Sequence, residues 1–495
     1  MAAKRMGLWL GCWLALTAVG PGAGAADVAW EVGTILKRVT QLKHDAAGRW
    51  PMITWEHFTT NAADRSYDRG VPLPEAAYRE LARRGLAETI RLNETYIPMA
   101  QTLQQWGFKV IAMEGAGGEG PGAEVPSALH PLPKDFKRAP GAPVHPCPLL
   151  LEGWHRRAMK VREILAKFKA ANVTLDAAWL DWEEEPWWGR EQWEQASACP
   201  RCRELFPAGV LDDFLVYRAF IARFHQQLYS TYLAAPILEA YPRCLVTDWG
   251  IVYSSPQVPT AHYWGGWPLP PSDAGLFTGL NPVAYGNDEC YVRQWTNAWT
   301  NSAAVPLDEE HMDRLYTRVL LAQVSGNAAN ALLWAPEKPC IPWVCRYCPD
   351  VGDKKIPALS RERYRELLRH IWLRGADSMQ IFNALRQGET ITALQEVEDA
   401  VQIYDEALGF RPFLDKGQIM NTDIPPADYD GAIWSGLRLE NEALVRAFTQ
   451  GRRTAHFSLT PWAGGAAVEL EAPPDGAYYR LVKAEGTVRV KKERF

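Results

Sequence analysis

Between Trp50 and Ala384 the chain alternates short apolar runs with longer stretches in which apolar residues return every three or four positions. The first pattern suits buried strands and the second amphipathic helices, so the alternation predicts βα units around a parallel sheet. Strands are expected at "WPMITWEHF" (Trp50 to Phe58), "FKVIAMEG" (Phe108 to Gly115), "LDAAWLDWE" (Leu175 to Glu183) and "RCLVTDWGIVYS" (Arg243 to Ser254). Three more are expected at "GLFTGLNPVAYG" (Gly275 to Gly286), "NAANALLWAPE" (Asn327 to Glu337) and "ADSMQIFNA" (Ala376 to Ala384). Helices are expected over Leu73 to Gly107, Glu152 to Asn172 and Thr392 to Leu408. Residues 116–148, rich in Gly and Pro, read as a long loop of the kind that carries function or moves. From Arg411 to Phe495 the period shortens to two in "TAHFSLTPW", "AAVELEAP" and "AYYRLVKAEGTVRVKK", which predicts antiparallel strands.

The fold class that follows is α/β: a distorted TIM-like (β/α) barrel of about seven to eight strands over residues 26–410, then a small β-sandwich-like domain over 411–495. A doubly wound open sheet is the alternative, but no glycine-rich phosphate loop follows the first strand. In a barrel the C-terminal ends of the strands line one mouth, where active sites sit. Those ends carry Trp55 and Glu56, Glu114, Asp181-Trp182-Glu183, Asp248 and Trp249 with Tyr253 beyond them, Tyr285, Trp334 with Glu337 beyond it, and Asn383.

Side chains alternate along a strand, so Asp181 and Glu183 share a face, with Cα atoms about 6.5 to 7 Å apart. An acidic run more often marks a solvated surface, and that suits Glu184 and Glu185. It suits Asp181 poorly, because "AAWL" before it ends a buried-looking strand. Two neighbouring carboxyls cannot both ionise freely, so one is pushed up and can act as a general acid near neutral pH. Trp182, Trp187, Trp188 and Trp193 place flat apolar rings beside these acids, a surface on which a sugar can stack.

Composition narrows the classes. A chain of 495 residues that is 47% hydrophobic and 22% charged, with net charge −5, can bury a large core and has no bulk attraction for nucleic acid. Its start has a basic pair (Lys4, Arg5), an apolar run from Met6 to Val19 and small residues Ala23-Gly24-Ala25, which reads as a signal peptide over 1–25 and predicts a secreted or periplasmic protein without a membrane span. Cleavage there would remove Cys12 and leave Cys147, Cys199, Cys202, Cys244, Cys290, Cys340, Cys345 and Cys348. An even number in an oxidising compartment predicts disulfides. The pairs "CPRC" (Cys199, Cys202) and "CRYC" (Cys345, Cys348) leave a second reading open, a structural four-thiolate zinc with no catalytic position. No cofactor is called for.

The segment "AWLDWEEEPW" resembles the strand end of the hyaluronidase family of glycoside hydrolases, in which Asp-x-Glu follows small and apolar residues. In the same order downstream, "LNPVAY" (Leu280 to Tyr285) resembles that family's Leu-Tyr-Pro-x-x-Tyr segment, and "VPLDEEHMDRLYTRVLLAQVSGNAANALLW" resembles the helix and strand that end at its active-site tryptophan. The resemblance covers about residues 150–334. It implies a distorted barrel acting on β-linked N-acetylhexosamine glycans by substrate-assisted retention. It further implies Glu183 as general acid, Asp181 as the group that orients and polarises the substrate acetamide, Trp334 as a wall of the acetamide pocket and Tyr285 as its aid. Asn281 stands where the family has a tyrosine, and Glu185-Pro186-Trp187 where it has Trp-Arg-Pro. Two other functions fit the same residues: a retaining glycosidase whose nucleophile is Glu337, the two carboxyls then about 5 Å apart, and a barrel that binds carbohydrate without turnover.

Overall fold

The computed structural model describes residues 37–54, 75–114, 129–138, 140–180, 189–248, 339–344, 346, 359–381, 390–426 and 428–493, with part of the stretch 310–328. In chain order the elements are β1 (Met52–Thr54), α1 (Glu75–Ala82), β2 (Leu86–Glu88), β3 (Ile90–Arg91), α2 (Ile97–Gln105), β4 (Ile111–Glu114), α3 (Glu152–Ala170) and β5 (Ala177–Leu180). Then come α4 (Arg190–Ala198), α5 (Pro200–Leu205), α6 (Phe214–Tyr229), α7 (Ala235–Ala240), β6 (Leu245–Asp248), β7 (Trp343–Val344), α8 (Arg361–Trp372), β8 (Gln380–Ile381), α9 (Thr390–Leu408) and α10 (Arg411–Lys416). The C-terminal strands are β9 (Gln418–Ile419), β10 (Ala432–Arg438), β11 (Glu442–Thr449), β12 (Ala455–Leu459), β13 (Val468–Ala472), β14 (Ala477–Ala484) and β15 (Thr487–Glu493). The expected leader, residues 1–25, lies outside the described residues, and no described helix is long and apolar enough to cross a membrane.

The first eight strands form two four-stranded parallel sheets, in the orders β2-β1-β8-β7 and β3-β4-β5-β6. Only Thr89 separates β2 from β3, so the two sheets continue one another along the chain. β1 pairs with β8, the first parallel strand with the last, as a cyclic arrangement requires. Among the described residues the row of strands runs from β7 to β6 without closing.

Two residues of register show which side is which. Ala112, Ala178 and Val246 lie level across β4, β5 and β6 and belong to the core shared with the helices. Their neighbours Ile111, Ala177 and Leu245, also level, are buried on the other side. The helix α3 covers the first side with the stripe Trp154, Ala158, Val161, Leu165 and Phe168, at the spacing of one helical face. Burial of each large apolar side chain contributes about 1.5–3 kcal/mol, so this stripe fixes the helix rather than the exposed Arg162–Glu239 ion pair on its outer face. α3 ends where Asn172 takes the left-handed conformation, φ 58°, and Val173 N–H donates to Phe168 O at 3.0 Å. At the N-terminal edge of the strands, Asp176 accepts from Val110 N–H at 2.8 Å and, in the other parallel sheet, Asp377 from Cys340 N–H at 2.7 Å, so each carboxylate completes the bonding of the chain entering a neighbouring strand.

Three elements differ from the sequence expectation. The stretch Leu73 to Gly107 is not helical throughout: Gly85, at φ 70°, ends the first helix and β2 and β3 follow. That strand carries a buried Glu88, which points into the helix layer, where Tyr78 Oη donates to it at 3.4 Å; the charge obscures the apolar run. β7 at Trp343–Val344 was not anticipated. Of the expected strand Asn327 to Glu337 only Ala328 is described, and it is helical; the expected strand Gly275 to Gly286 lies outside the described residues.

The antiparallel sheet expected at the C-terminus is present, in the order β15-β14-β11-β10-β9, with β12 and β13 forming a hairpin. Its central strand β11 is covered on both faces. Ala443, Val445 and Ala447 pack with the hairpin's Leu459, Val468 and Leu470, while Leu444 and Phe448 join the core of the parallel unit. On that second face Arg446 Nε donates to Glu366 Oε1 at 2.8 Å and its Nη2 to Oε2. His370 Nε2 lies 3.3 Å from Glu366 and its Nδ1 2.8 Å from Ser435 Oγ, which also accepts from Arg374 Nε at 2.8 Å. A buried polar chain therefore joins α8 to β10 and β11.

Candidate functional site

Along one edge of the parallel strands the ends are level: Glu114 pairs with Leu180 and Leu180 with Asp248, and Thr54 pairs with both Glu88 and Ile381. This is the C-terminal edge, and the chain leaves β1 one residue before Trp55 and β5 one residue before Asp181. Trp55, Glu56, Asp181, Trp182, Glu183, Trp249, Tyr253, Tyr285, Trp334 and Glu337 lie outside the described residues, and of Asp248 the structure describes the backbone, which ends β6.

Beside this edge the structure assembles a group that sequence spacing alone does not pair. His130 and Cys147 come from the connection between β4 and α3; Cys199 and Cys202 come from the corner between α4 and α5. All four are buried, and their ligand atoms lie within 4.8 Å of one another. Cys147 Sγ is 3.2 Å from His130 Nδ1 and 3.7 Å from Cys199 Sγ, and Cys202 Sγ is 3.4 Å from the same Nδ1. Cys199 caps the short helix α5, its sulfur accepting from Cys202 N–H at 3.4 Å, and Pro200 occupies the first helical turn, where its missing N–H costs nothing.

Gln195, fully buried on α4, fastens the same two segments: its Oε1 accepts from His145 N–H at 2.9 Å and its Nε2 donates to Pro143 O at 2.9 Å. His130 N–H in turn donates to His145 O at 2.9 Å, closing a short antiparallel bridge between the two ends of the connection.

The expected cysteine chemistry is corrected here. Cys147, Cys199, Cys202, Cys244 and Cys340 are free thiols, so no disulfide forms among the described residues. The neighbours of Cys199 and Cys202 are His130 and Cys147; Cys345 and Cys348, the other half of the four-thiolate set, lie outside the described residues. The sequence signal that marks the added pair is faint: "HPCP" at His145 to Pro148 resembles "CPRC" only in setting cysteine beside proline.

Electrostatics within the group is uneven. Hydrogen bonding from Cys202, and after it from His130, brings the Cys147 thiol down to about 4 against the opposing effect of burial. The same contact with Cys147, reinforced by burial, pushes the Cys202 thiol far up. Burial and then the charge of His130 bring His145 down to about 4. Cys244 and Cys340 are pushed up by burial and by a nearby aspartate, as suits inert core thiols.

The sequence matches no protein-family model and no curated protein. Among solved structures, a family 36 α-galactosidase from Geobacillus stearothermophilus, in complex with 1-deoxygalactonojirimycin, aligns with 93% of this chain and 58% of its own at 9% identity and a TM-score of 0.44. An α-galactosidase from Lactobacillus brevis aligns with 90% of this chain and 55% of its own at 10% identity and a TM-score of 0.41. A family 30 xylanase from Clostridium acetobutylicum aligns with 90% of this chain and 98% of its own at 11% identity and a TM-score of 0.39. The chain thus spans little more than half the length of the two α-galactosidases.

Proposed function

We propose that the chain is an exported glycoside hydrolase that cleaves β-linked N-acetylhexosamine glycans by substrate-assisted retention. The observation that carries this is the position of β5, central between β4 and β6, which ends at Leu180 directly before Asp181-Trp182-Glu183. Ala178 faces the helix core and Ala177 the other side. In the sequence, Asp181 and Glu183 stand at the same two-residue parity as Ala177, which is the reason for pairing them. Ligands of parallel βα sheets bind beyond the carboxyl ends of the strands.

In this reaction the acetamide carbonyl oxygen of the substrate bonds to the anomeric carbon as the glycosidic bond breaks, and Glu183 gives its proton to the departing oxygen. Asp181 holds the acetamide N–H and stabilises the positive charge of the oxazolinium. Water then attacks the anomeric carbon, giving a proton to Glu183 as the bond from that carbon to the acetamide oxygen breaks and the acetamide is restored. Trp55, Glu56, Trp182, Asp248, Trp249, Tyr253, Tyr285 and Trp334 form the sugar subsites.

Matched aryl β-glycosides test this. The 2-acetamido sugar should turn over on the order of a hundred-fold or more faster than the 2-hydroxy sugar, which has no internal nucleophile, and a thiazoline mimic of the intermediate should inhibit strongly. Equal turnover of both sugars, with a 2-fluoro glycoside trapped on Glu337, would replace the mechanism with one using a protein nucleophile. Glycan binding without any hydrolysis would leave a binding protein.

A further inference from the structure

We propose that His130, Cys147, Cys199 and Cys202 hold one zinc ion, in a closed tetrahedral site of three thiolates and one imidazole that pins the β4–α3 connection to the α4–α5 corner. A zinc ion with sulfur at about 2.3 Å and nitrogen at about 2.0–2.1 Å requires tetrahedral edges of about 3.8 Å between sulfurs and about 3.6 Å between sulfur and nitrogen. The observed separations of 3.7, 3.2 and 3.4 Å lie close to those edges. A disulfide would need two sulfurs at about 2.05 Å.

Buried cysteines and histidines are commonly plain core residues, each acting as a small hydrophobe or a weak donor. The connection they sit on argues against that here. Among the described residues of 129–148, the buried ones are His130, Cys147 and Pro148. Among these described residues no leucine, valine or aromatic side chain is buried outright, and apart from one bridge there is no helix or strand. What ties the connection to α4 and α5 are the Gln195 bonds, the approach of His145 Nε2 to Glu191 at 3.7 Å and the four convergent ligands.

The donor set selects the metal. Thiolate with imidazole in a tetrahedron suits zinc, whereas calcium and magnesium take oxygen ligands. In the bound site three thiolates and a neutral imidazole surround Zn²⁺ with net charge −1, each cysteine that still carries its thiol proton releasing it to solvent; Cys202 N–H donates to the Cys199 sulfur and spreads part of that charge. Four protein ligands leave no open position, so the site is structural. It stands whether or not the chain cleaves glycans.

The test uses the full chain, purified under reducing conditions with zinc present and then dialysed. Metal analysis should find one zinc per chain, and X-ray absorption should resolve three sulfurs and one nitrogen around it. Cys202→Ser should lose the zinc, while Cys244→Ser and the double variant Cys345→Ser/Cys348→Ser should retain it. Removing the metal with a chelator should strip hydrogen-exchange protection from residues 129–147 and 190–205 together. A chain without zinc, a chain holding iron instead, a zinc bound by four sulfurs or a Cys147–Cys199 disulfide would each overturn the site. The absorption result on the unaltered chain decides the ligand set even where Cys202→Ser fails to fold.

Discussion

Arg446 meets Glu366 through two nitrogens while its guanidinium lies over the Tyr478 ring, 4.7 Å from the centroid, in a place both charges reach only on folding. Removing one partner leaves the other buried and uncompensated, which typically costs about 3–5 kcal/mol. Arg446→Met should therefore lower the urea midpoint sharply, and Arg446→Met with Glu366→Gln should recover part of the loss. A wild-type midpoint in the single variant would contradict this role. None of this pair was legible in the sequence, because Glu366 and Arg446 stand 80 positions apart with no local pattern to join them. The cysteines show the same limit. "CPRC" is visible because both ligands are local, whereas His130 and Cys147 join it only through the way β4 and β5 lie side by side. The strand β5 was legible because one local apolar run marks it; Asp181 and Glu183, which follow its last residue Leu180, lie outside the described residues.

Among the elements, β4, β5 and β6 begin and end inside the segments that the apolar runs mark out, and α3 stops two residues short of its expected end. The turn into β2 has no mark in the apolar runs, and Gly85 is the reason it forms. A Cβ at Gly85 would lie 2.7 Å from Tyr404 Cε1, and its φ of 70° is unfavourable for any side chain. Gly85→Ala should cost about 1–2 kcal/mol for the backbone and about 1–3 kcal/mol for the crowding. Gly48, with φ 81° and nothing within 4 Å of a built Cβ, carries the backbone cost alone. Denaturation midpoints should rank the two variants in that order, with Gly85→Ala the less stable; equal midpoints would show that Tyr404 yields freely.

For the whole molecule, the polar chain between α8 and the C-terminal sheet makes stability depend on pH. Burial brings His370 down to about 4 from its ordinary 6.5, although Glu366 pulls the other way. The folded state thus refuses a proton that the unfolded chain accepts, so this contribution is complete above pH 6.5 and declines as the pH falls toward 4. Against the cost of burial, Arg446 and then His370 hold Glu366 far below the carboxylate range, so its contribution is present above its ordinary 4.5 and is lost only in stronger acid. The thermal midpoint should decline on acidification from pH 6.5, and His370→Gln should show a shallower slope between pH 6.5 and 4; an unchanged slope would assign it to other groups. At this scale the parallel strands and the antiparallel C-terminal sheet were both legible from the change of period, although the residues from Arg411 open with the helix α10 before the first strand of that sheet. The packing of β11 between two cores was not, since a strand covered on both faces loses the alternation that identifies it. The central claim, the proposal that Glu183 is the proton donor of a glycosidase, is tested most directly by turnover of Glu183→Gln on an aryl β-N-acetylhexosaminide, alongside its thermal midpoint. The amide keeps the shape and removes the proton, so the rate should fall on the order of a hundred-fold or more with the midpoint unchanged, while Glu184→Gln stays near the unaltered chain. Full turnover by a folded Glu183→Gln chain would contradict it.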